Sequence, residues 1–355
     1  MKKTYVFKIA AIACFLSVSA VLSAGGKKDS VSPDRNQASS AETEDSTVPS
    51  GHPAVSTDSL RVGSLNGPTG IPLAYLYENH PDLGGVETVF QSYASPAALL
   101  PKMIKGEVDI GFLPANVAAK VYLKNNGAIV AAGITGNGNV VLVTEDPGIA
   151  SLADLKGKTV EVAGQGATPD YMFRYLLSKN GIAVGTGDNM VQPDYSIETS
   201  RIGAELISGK IRYAVVPEPF ATVVTMRDKN FIRAINFQTE YEKIEGAGQT
   251  YPLTLMVVRA GYAAEHPETV RAFIAAYRKS TEWTITNPNK AGVLVQKYTL
   301  GLMAPIVARA IPNSQYVFID AVSGRASIEK LLDIFLQFAP ESVGGVLPDD
   351  GFYFK

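Results

Sequence analysis

The sequence predicts an α/β protein built as two similar lobes. Three observations carry that reading: strands and helices alternate through Gly-rich turns from Leu60 onward, the chain resembles itself at an offset of 103 residues, and two apolar strands lie where the halves join. Alternating strands and helices imply open, mostly parallel sheets covered on both faces.

Taken in order, Leu60 to Leu65 reads as a strand, Asn66-Gly67-Pro68-Thr69-Gly70 as a turn and Ile71 to Asn79 as a helix. Val86 to Ser92 is the next strand. Ser95-Pro96 supplies an N-cap followed by proline at the first helical position, with Leu99, Leu100 and Met103 as the buried stripe. Val108 to Leu113 is a third strand, Ala115 to Asn125 a helix and Ile129 to Ile134 a fourth strand. Residues 103–114 then align without a gap on residues 206–217: both read as helix end, Gly cap, buried strand, Pro. A looser match sets the Val62 strand and its Gly67 turn against Val160 to Ala163 and the segment Gly164 to Pro169.

Apolar strands at 140–144 and 251–259 form the crossovers. They make 60–139 and 260–355 a discontinuous first lobe and 145–250 the second. Residues 266–287, with Val270, Phe273, Ile274 and Tyr277, and residues 327–338, with Ile328, Leu331, Leu332 and Phe335, carry helical apolar stripes. Trp283 is read as part of that packing.

Composition excludes several classes. The chain has 355 residues, 46% hydrophobic and 19% charged, with one cysteine and three histidines, so a disulfide scaffold, a cysteine zinc site and a histidine metal cluster are all unexpected. A net charge of -2 without a basic run argues against nucleic acid as a partner. No metal, cofactor or catalytic residue is expected. Lys2, Lys3 and Lys8 before the apolar run Ile9 to Ala24 have the pattern of an export signal, residues 1–24, and place the body in the periplasm or on the outer face of the cytoplasmic membrane. Residues 25–59, rich in Ser and Pro and without Leu, Ile, Met or an aromatic residue, read as a disordered tether, which is the argument for attachment to a membrane through the N-terminus alone. Leu22-Ser23-Ala24-Gly25 has the form of a lipobox with Gly25 in the place of the acylated cysteine; Ala11-Ile12-Ala13-Cys14 is a shorter one, and the preferred reading leaves Cys14 as a small hydrophobe in a discarded peptide.

In open α/β sheets ligands bind beyond the carboxyl ends of the strands, which points to the loops 65–70, 92–95, 113–116, 135–139, 164–171, 196–201 and 217–220. The candidate ligand-binding residues there are Asn66, Gly67, Thr69, Gly70, Tyr93, Ser95, Asn116, Asn137, Gln165, Thr168, Tyr171, Glu198, Glu218 and Phe220. Backbone N–H groups at Thr69, Gly70 and Thr168 would offer donors at helix starts, while the hydroxyls of Thr69, Ser95 and Thr168 serve either as caps or as ligand contacts. Tyr93, Tyr171 and Phe220 either stack on a ligand or pack. Glu218, held between Pro217 and Pro219, either accepts ligand hydrogen bonds or stabilises a helix start. The only Lys or Arg in these loops is Arg201, against Asp170, Glu198 and Glu218, so the expected cleft is acidic.

Ser151-Leu152-Ala153-Asp154-Leu155-Lys156-Gly157-Lys158-Thr159-Val160, Lys105-Gly106-Glu107-Val108-Asp109-Ile110-Gly111 and above all Ala214-Val215-Val216-Pro217-Glu218-Pro219 resemble segments of the ABC-importer solute-binding proteins for nitrate, taurine, sulfonates and thiamine precursors. The resemblance runs from Leu60 to Phe338. It implies a type II-like periplasmic-binding-protein fold, two lobes that close on one small molecule, and an ABC permease and ATPase as partners; the repeat and the two crossover strands lead to the expectation of a monomer. It also admits pyrimidine-synthase-like and menaquinone-pathway enzymes on the same fold, but no nucleophile, base and orienter stand together here. An acidic, aromatic cleft favours a planar nitrogen heterocycle such as an aminopyrimidine over an alkanesulfonate, taurine or nitrate.

Overall fold

The computed structural model describes residues 59–355; the segments read as export signal and tether, Cys14 among them, lie outside these residues except for Ser59, which opens the first strand. In chain order the first part runs β1 (Ser59–Leu65), α1 (Ala74–Asn79), β2 (Glu87–Tyr93), α2 (Pro96–Ile104), β3 (Ile110–Pro114), α3 (Ala115–Lys124) and β4 (Ile129–Asn137). The middle part runs β5 (Val140–Thr144), β6 (Thr159–Val162), α4 (Thr168–Lys179), β7 (Ala183–Val184), β8 (Met190–Asp194), α5 (Thr199–Ile207), β9 (Tyr213–Pro217), α6 (Phe220–Arg227), β10 (Ile232–Asn236) and α7 (Phe237–Glu245). The remainder is β11 (Pro252–Arg259), α8 (Ala260–Glu265), α9 (Pro267–Thr286), α10 (Pro288–Lys297), α11 (Ala304–Ala310), β12 (Tyr316–Asp320) and α12 (Arg325–Phe338), followed by a 3₁₀ turn at Pro340–Ser342.

These strands form two six-stranded sheets, ordered β12-β4-β11-β3-β1-β2 and β10-β5-β9-β6-β8-β7. Both are mixed. In the first, β1, β2, β3 and β4 share a direction and β11 and β12 oppose it; in the second only β5 runs against the rest. Each opposing inner strand is borrowed. β5 follows β4 of the first sheet yet pairs with β9 and β10, while β11 follows α7 of the second half yet pairs with β3 and β4.

The sequence repeat is a repeat of chain reversal. α2 ends where Gly106, at φ +73°, donates its N–H to Met103 O and Glu107 N–H returns to Lys102 O; α5 ends the same way at Gly209, φ +74°, with Leu206 and Glu205 as acceptors. A side chain at either glycine would strain this left-handed conformation. The next strands, β3 and β9, then enter the sheets with all but their final proline buried.

Alternation along the strands assigns the faces. In the first sheet Leu60, Val62, Ile110, Phe112, Met256 and Val258 pack against α1, α8 and α9 through Leu76, Tyr262, Phe273 and Tyr277. In the second, Val141, Val143, Ala214 and Val216 pack against α5 and α6 through Ile202, Leu206, Ala221 and Val224. The opposite faces of both sheets share one apolar cluster, in which α2, α3 and α12 cover the first sheet and α4 and α7 the second. Each fully buried Leu, Val or Phe of this kind contributes about 1.5–3 kcal/mol relative to exposure. Trp283 lies 4.7 Å from Tyr75 between ring centroids, within the packing of α9 on α1.

Candidate ligand-binding site

The loops beyond the carboxyl ends of the strands bring several candidates together. The Gly67 turn of the first lobe faces Phe220 of the second, whose Cζ lies 3.8 Å from where a Cβ on Gly67 would stand. At the start of α3, Asn116 Nδ2 donates to Gly166 O across the lobes at 3.0 Å and to Ser342 O at 3.3 Å, while Thr168 Oγ1 donates to Asn116 Oδ1 at 3.2 Å. Both Asn116 and Thr168 are shut from solvent. Beside them the Tyr171 ring lies against Phe335 of α12 at 5.6 Å, and burial raises its phenol above the usual range.

Other candidates stabilise local structure. Thr69 Oγ1 accepts Leu65 N–H at 2.7 Å and donates to Leu65 O at 3.1 Å, so this hydroxyl closes the β1–α1 turn. Gly70 is buried, and its carbonyl accepts from Leu73 N–H. Ser95 is the N-cap residue of α2 but its side chain makes no capping bond, and the N-cap of α4 is Ala167, with Thr168 its first helical residue. Tyr93 donates its hydroxyl to Gln91 Oε1. Asn66, Gln165 and Glu198 are exposed.

Glu218 corrects the expected electrostatics. Its peptide to Pro219 is cis, its side chain is 1% exposed, and both carboxylate oxygens are occupied: Oε2 accepts Thr222 N–H at 3.1 Å and Thr222 Oγ1–H at 2.7 Å, and Oε1 accepts Arg233 Nε–H at 2.7 Å. It therefore stabilises the start of α6, the alternative raised for it above. Asp170 is likewise committed, to Gly166 N–H, Arg174 Nε–H and Tyr195 O–H. Arg201, the cation expected in the cleft, pairs instead with Glu205 on its own helix at 2.8 Å. Glu218 and Asp170 thus carry their own counter-charges, and the expectation of an acidic cleft does not hold for these two.

Three residues were missed. Arg233 sits on β10, beyond the loops that sequence reasoning watches, although Thr222, one helical turn after Glu218, marks a saturated carboxylate. Ser342 comes from the C-terminal turn; its hydroxyl is buried without a hydrogen-bond partner among the described residues. Asn139 lies two residues beyond Asn137 on the segment between the sheets. Its Nδ2 donates to Ser314 O at 2.8 Å and its carbonyl accepts Glu218 N–H at 3.2 Å, so it ties β9 to the approach of β12. Away from all of these, a shallow depression of about 380 Å³ over His80 to Thr88 contains no candidate residue.

Among the described residues no group of three or more His, Cys, Asp and Glu could hold a metal ion, and no helix is long and apolar enough to cross a membrane. Two mixed six-stranded sheets that exchange an inner strand define the two-lobed periplasmic-binding-protein class. An ABC transporter protein from Parabacteroides distasonis shares this fold at a TM-score of 0.69 and 24% identity, over 84% of this chain and 99% of that one. The periplasmic aliphatic sulphonate binding protein SsuA from Escherichia coli superposes at 0.64 with 17% identity, over 84% and 93%, and the periplasmic nitrate-binding protein NrtA from Synechocystis PCC 6803 at 0.61 with 13%, over 79% and 82%. No curated protein sequence matches the chain. Residues 85–291 match the NMT1/THI5 like family, and the chain belongs to it.

Proposed function

We propose that the chain is an exported solute-binding protein that captures one small organic molecule between its lobes and delivers it to the permease and ATPase of an ABC importer. The observation that carries this reading is the convergence of strand-end loops from both sheets, Gly67 on Phe220 and Asn116 on Gly166 and Thr168, across a joint made by two exchanged strands. The family and the shared fold support it. We assign 60–139 and 260–355 to one lobe and 145–250 to the other. Because β5 and β11 are sheet members, the bending is assigned to the short segments 138–139 and 246–251.

Binding is preferred to catalysis because the committed carboxylates Glu218 and Asp170 offer no free acid or base at the convergence. As ligand we retain a planar nitrogenous solute ahead of a sulfonate, taurine or nitrate, on hydrogen-bonding capacity in place of charge. Export rests on the pattern of residues 1–24, and a monomer is assigned. Small-angle scattering with and without a panel of aminopyrimidines, sulfonates and nitrate tests the capture itself. One member is expected to reduce the radius of gyration saturably with one site per chain; binding without any change in shape would refute the two-lobe mechanism.

A further inference from the structure

The segment between the sheets carries two amide oxygens that no donor among the described residues reaches. Asn137 Oδ1 and Asn139 Oδ1 are both shut from solvent and have no hydrogen-bond partner among the described residues. The Asn139 amide is oriented by its own Nδ2–H bond to Ser314 O, so the unpartnered atom is its oxygen. Nearby backbone supplies little. Asn137 stands opposite Pro252 across β4 and β11, and Val140 stands opposite Pro217 across β5 and β9, so one member of each pair lacks an N–H where the exchanged strand enters its sheet.

The surroundings place this segment of backbone near the convergence of the lobes. Asn139 accepts from the Glu218 backbone, and Phe220, which meets the Gly67 turn, follows two residues later. Glu218 cannot take the acceptor role, because Thr222 and Arg233 occupy its carboxylate. We propose that Asn137 and Asn139 are the specificity-determining acceptors of the site and select a solute that presents N–H donors, such as an amino-substituted heterocycle. Such a ligand satisfies oxygens that are otherwise buried and unpaired, whereas sulfonate and nitrate bring acceptors to acceptors. This assignment rests on the solute-capture reading and narrows it.

Calorimetry of the full chain with 4-aminopyrimidine, 4-methylpyrimidine of nearly equal shape, and ethanesulfonate tests it, beside Asn137→Ala and Asn139→Ala. The amino compound is expected to bind at least about tenfold tighter than the methyl compound, in line with the cost of leaving a buried acceptor unmet. Asn137→Ala should abolish that preference while circular dichroism stays unchanged; it carries the test should Asn139→Ala, which also loses the Ser314 bond, fail to fold. Equal affinity for the two pyrimidines, or a preference that survives Asn137→Ala, would overturn the assignment and leave these oxygens to water. Ethanesulfonate binding with compaction and no pyrimidine binding would overturn it while leaving solute capture intact. Absence of binding and of compaction with every probe would count against both.

Discussion

In the first lobe the fully buried Asp109 is held by two arginines: Arg61 donates Nε–H and Nη2–H to its two oxygens at 2.8 Å each, and Arg259 donates Nη2–H at 3.2 Å. In the second lobe Glu218 pairs, among the described residues, with Arg233 as its one cation, and Glu161 on β6 accepts Ile197 N–H at 2.9 Å while its other oxygen, also buried, has no partner among those residues. The repeat therefore reproduces backbone and leaves the polar interior free to diverge; the residue 103 positions after Asp109 is the largely exposed Arg212. Position matters as well as number. Asp109 precedes β3, far along the strand from the loops that converge, whereas Glu218 follows β9 among them. Glu218 of the second lobe thus lies among the converging loops, and Asp109 of the first lobe does not.

Arg233→Met tests that contrast most severely. It leaves Glu218 as a buried, uncompensated carboxylate and should cost about 3–5 kcal/mol in urea unfolding; a loss no greater than that of the first-lobe change Arg259→Met would remove the distinction. Gly138→Ala probes the joint between the lobes. A methyl there would overlap the Tyr251 ring, which is wholly buried and stacked edge-on to Tyr241, so a loss of about 1–3 kcal/mol is expected, and an unperturbed melting curve would show that this joint yields freely.

Glu161→Gln should act in the other direction. Burial, and then the neighbouring Asp194 charge, raise the Glu161 carboxyl above its ordinary range, against the opposing Ile197 N–H and Ser196 contacts. A folded-state pKa above the unfolded one means that this group's contribution falls as pH rises from the ordinary carboxylate value to the raised one, and stays low above it. The glutamine variant should therefore gain about 1 kcal/mol at pH 7 and little near pH 4. A gain of equal size at both pH values would point to packing in place of ionisation. Arg259→Met completes the series with the smallest change, about 0.5–1 kcal/mol, because Arg61 still engages both Asp109 oxygens and Arg259 is partly exposed.

How far the sequence carries is itself uneven. Residues 103–114 and 206–217 disclose the repeated helix end and strand because a Gly cap followed by an apolar run is a local signal. The meeting of Asn116 with Thr168, and of Gly67 with Phe220, is anticipated only as a shared strand-end location, since the loops concerned are far apart in the chain. Glu218 stands out in the sequence as an acid between two prolines, yet its neutralisation by Arg233 depends on β10 lying across β5 from β9, a register that no local pattern encodes. Ser342 was invisible for a similar reason: nothing in Pro340-Glu341-Ser342 signals that the turn returns to the start of α3.

The exchanged strands also impose an order of assembly. β5 precedes the rest of the second sheet, so every strand of that sheet lies within the contiguous residues 140–236. β3 and β4 follow one another in the chain but are not neighbours; the slot between them is filled by β11, and the first sheet has no continuous ladder until Arg259 is available. A chain emerging N-terminus first would therefore carry β1 to β4 as an unfinished sheet with a gap at its centre while its second half closes. The sheet begun later is the first that can be completed, and the N-terminal strands are the segment that must be kept from pairing with other chains in the interval.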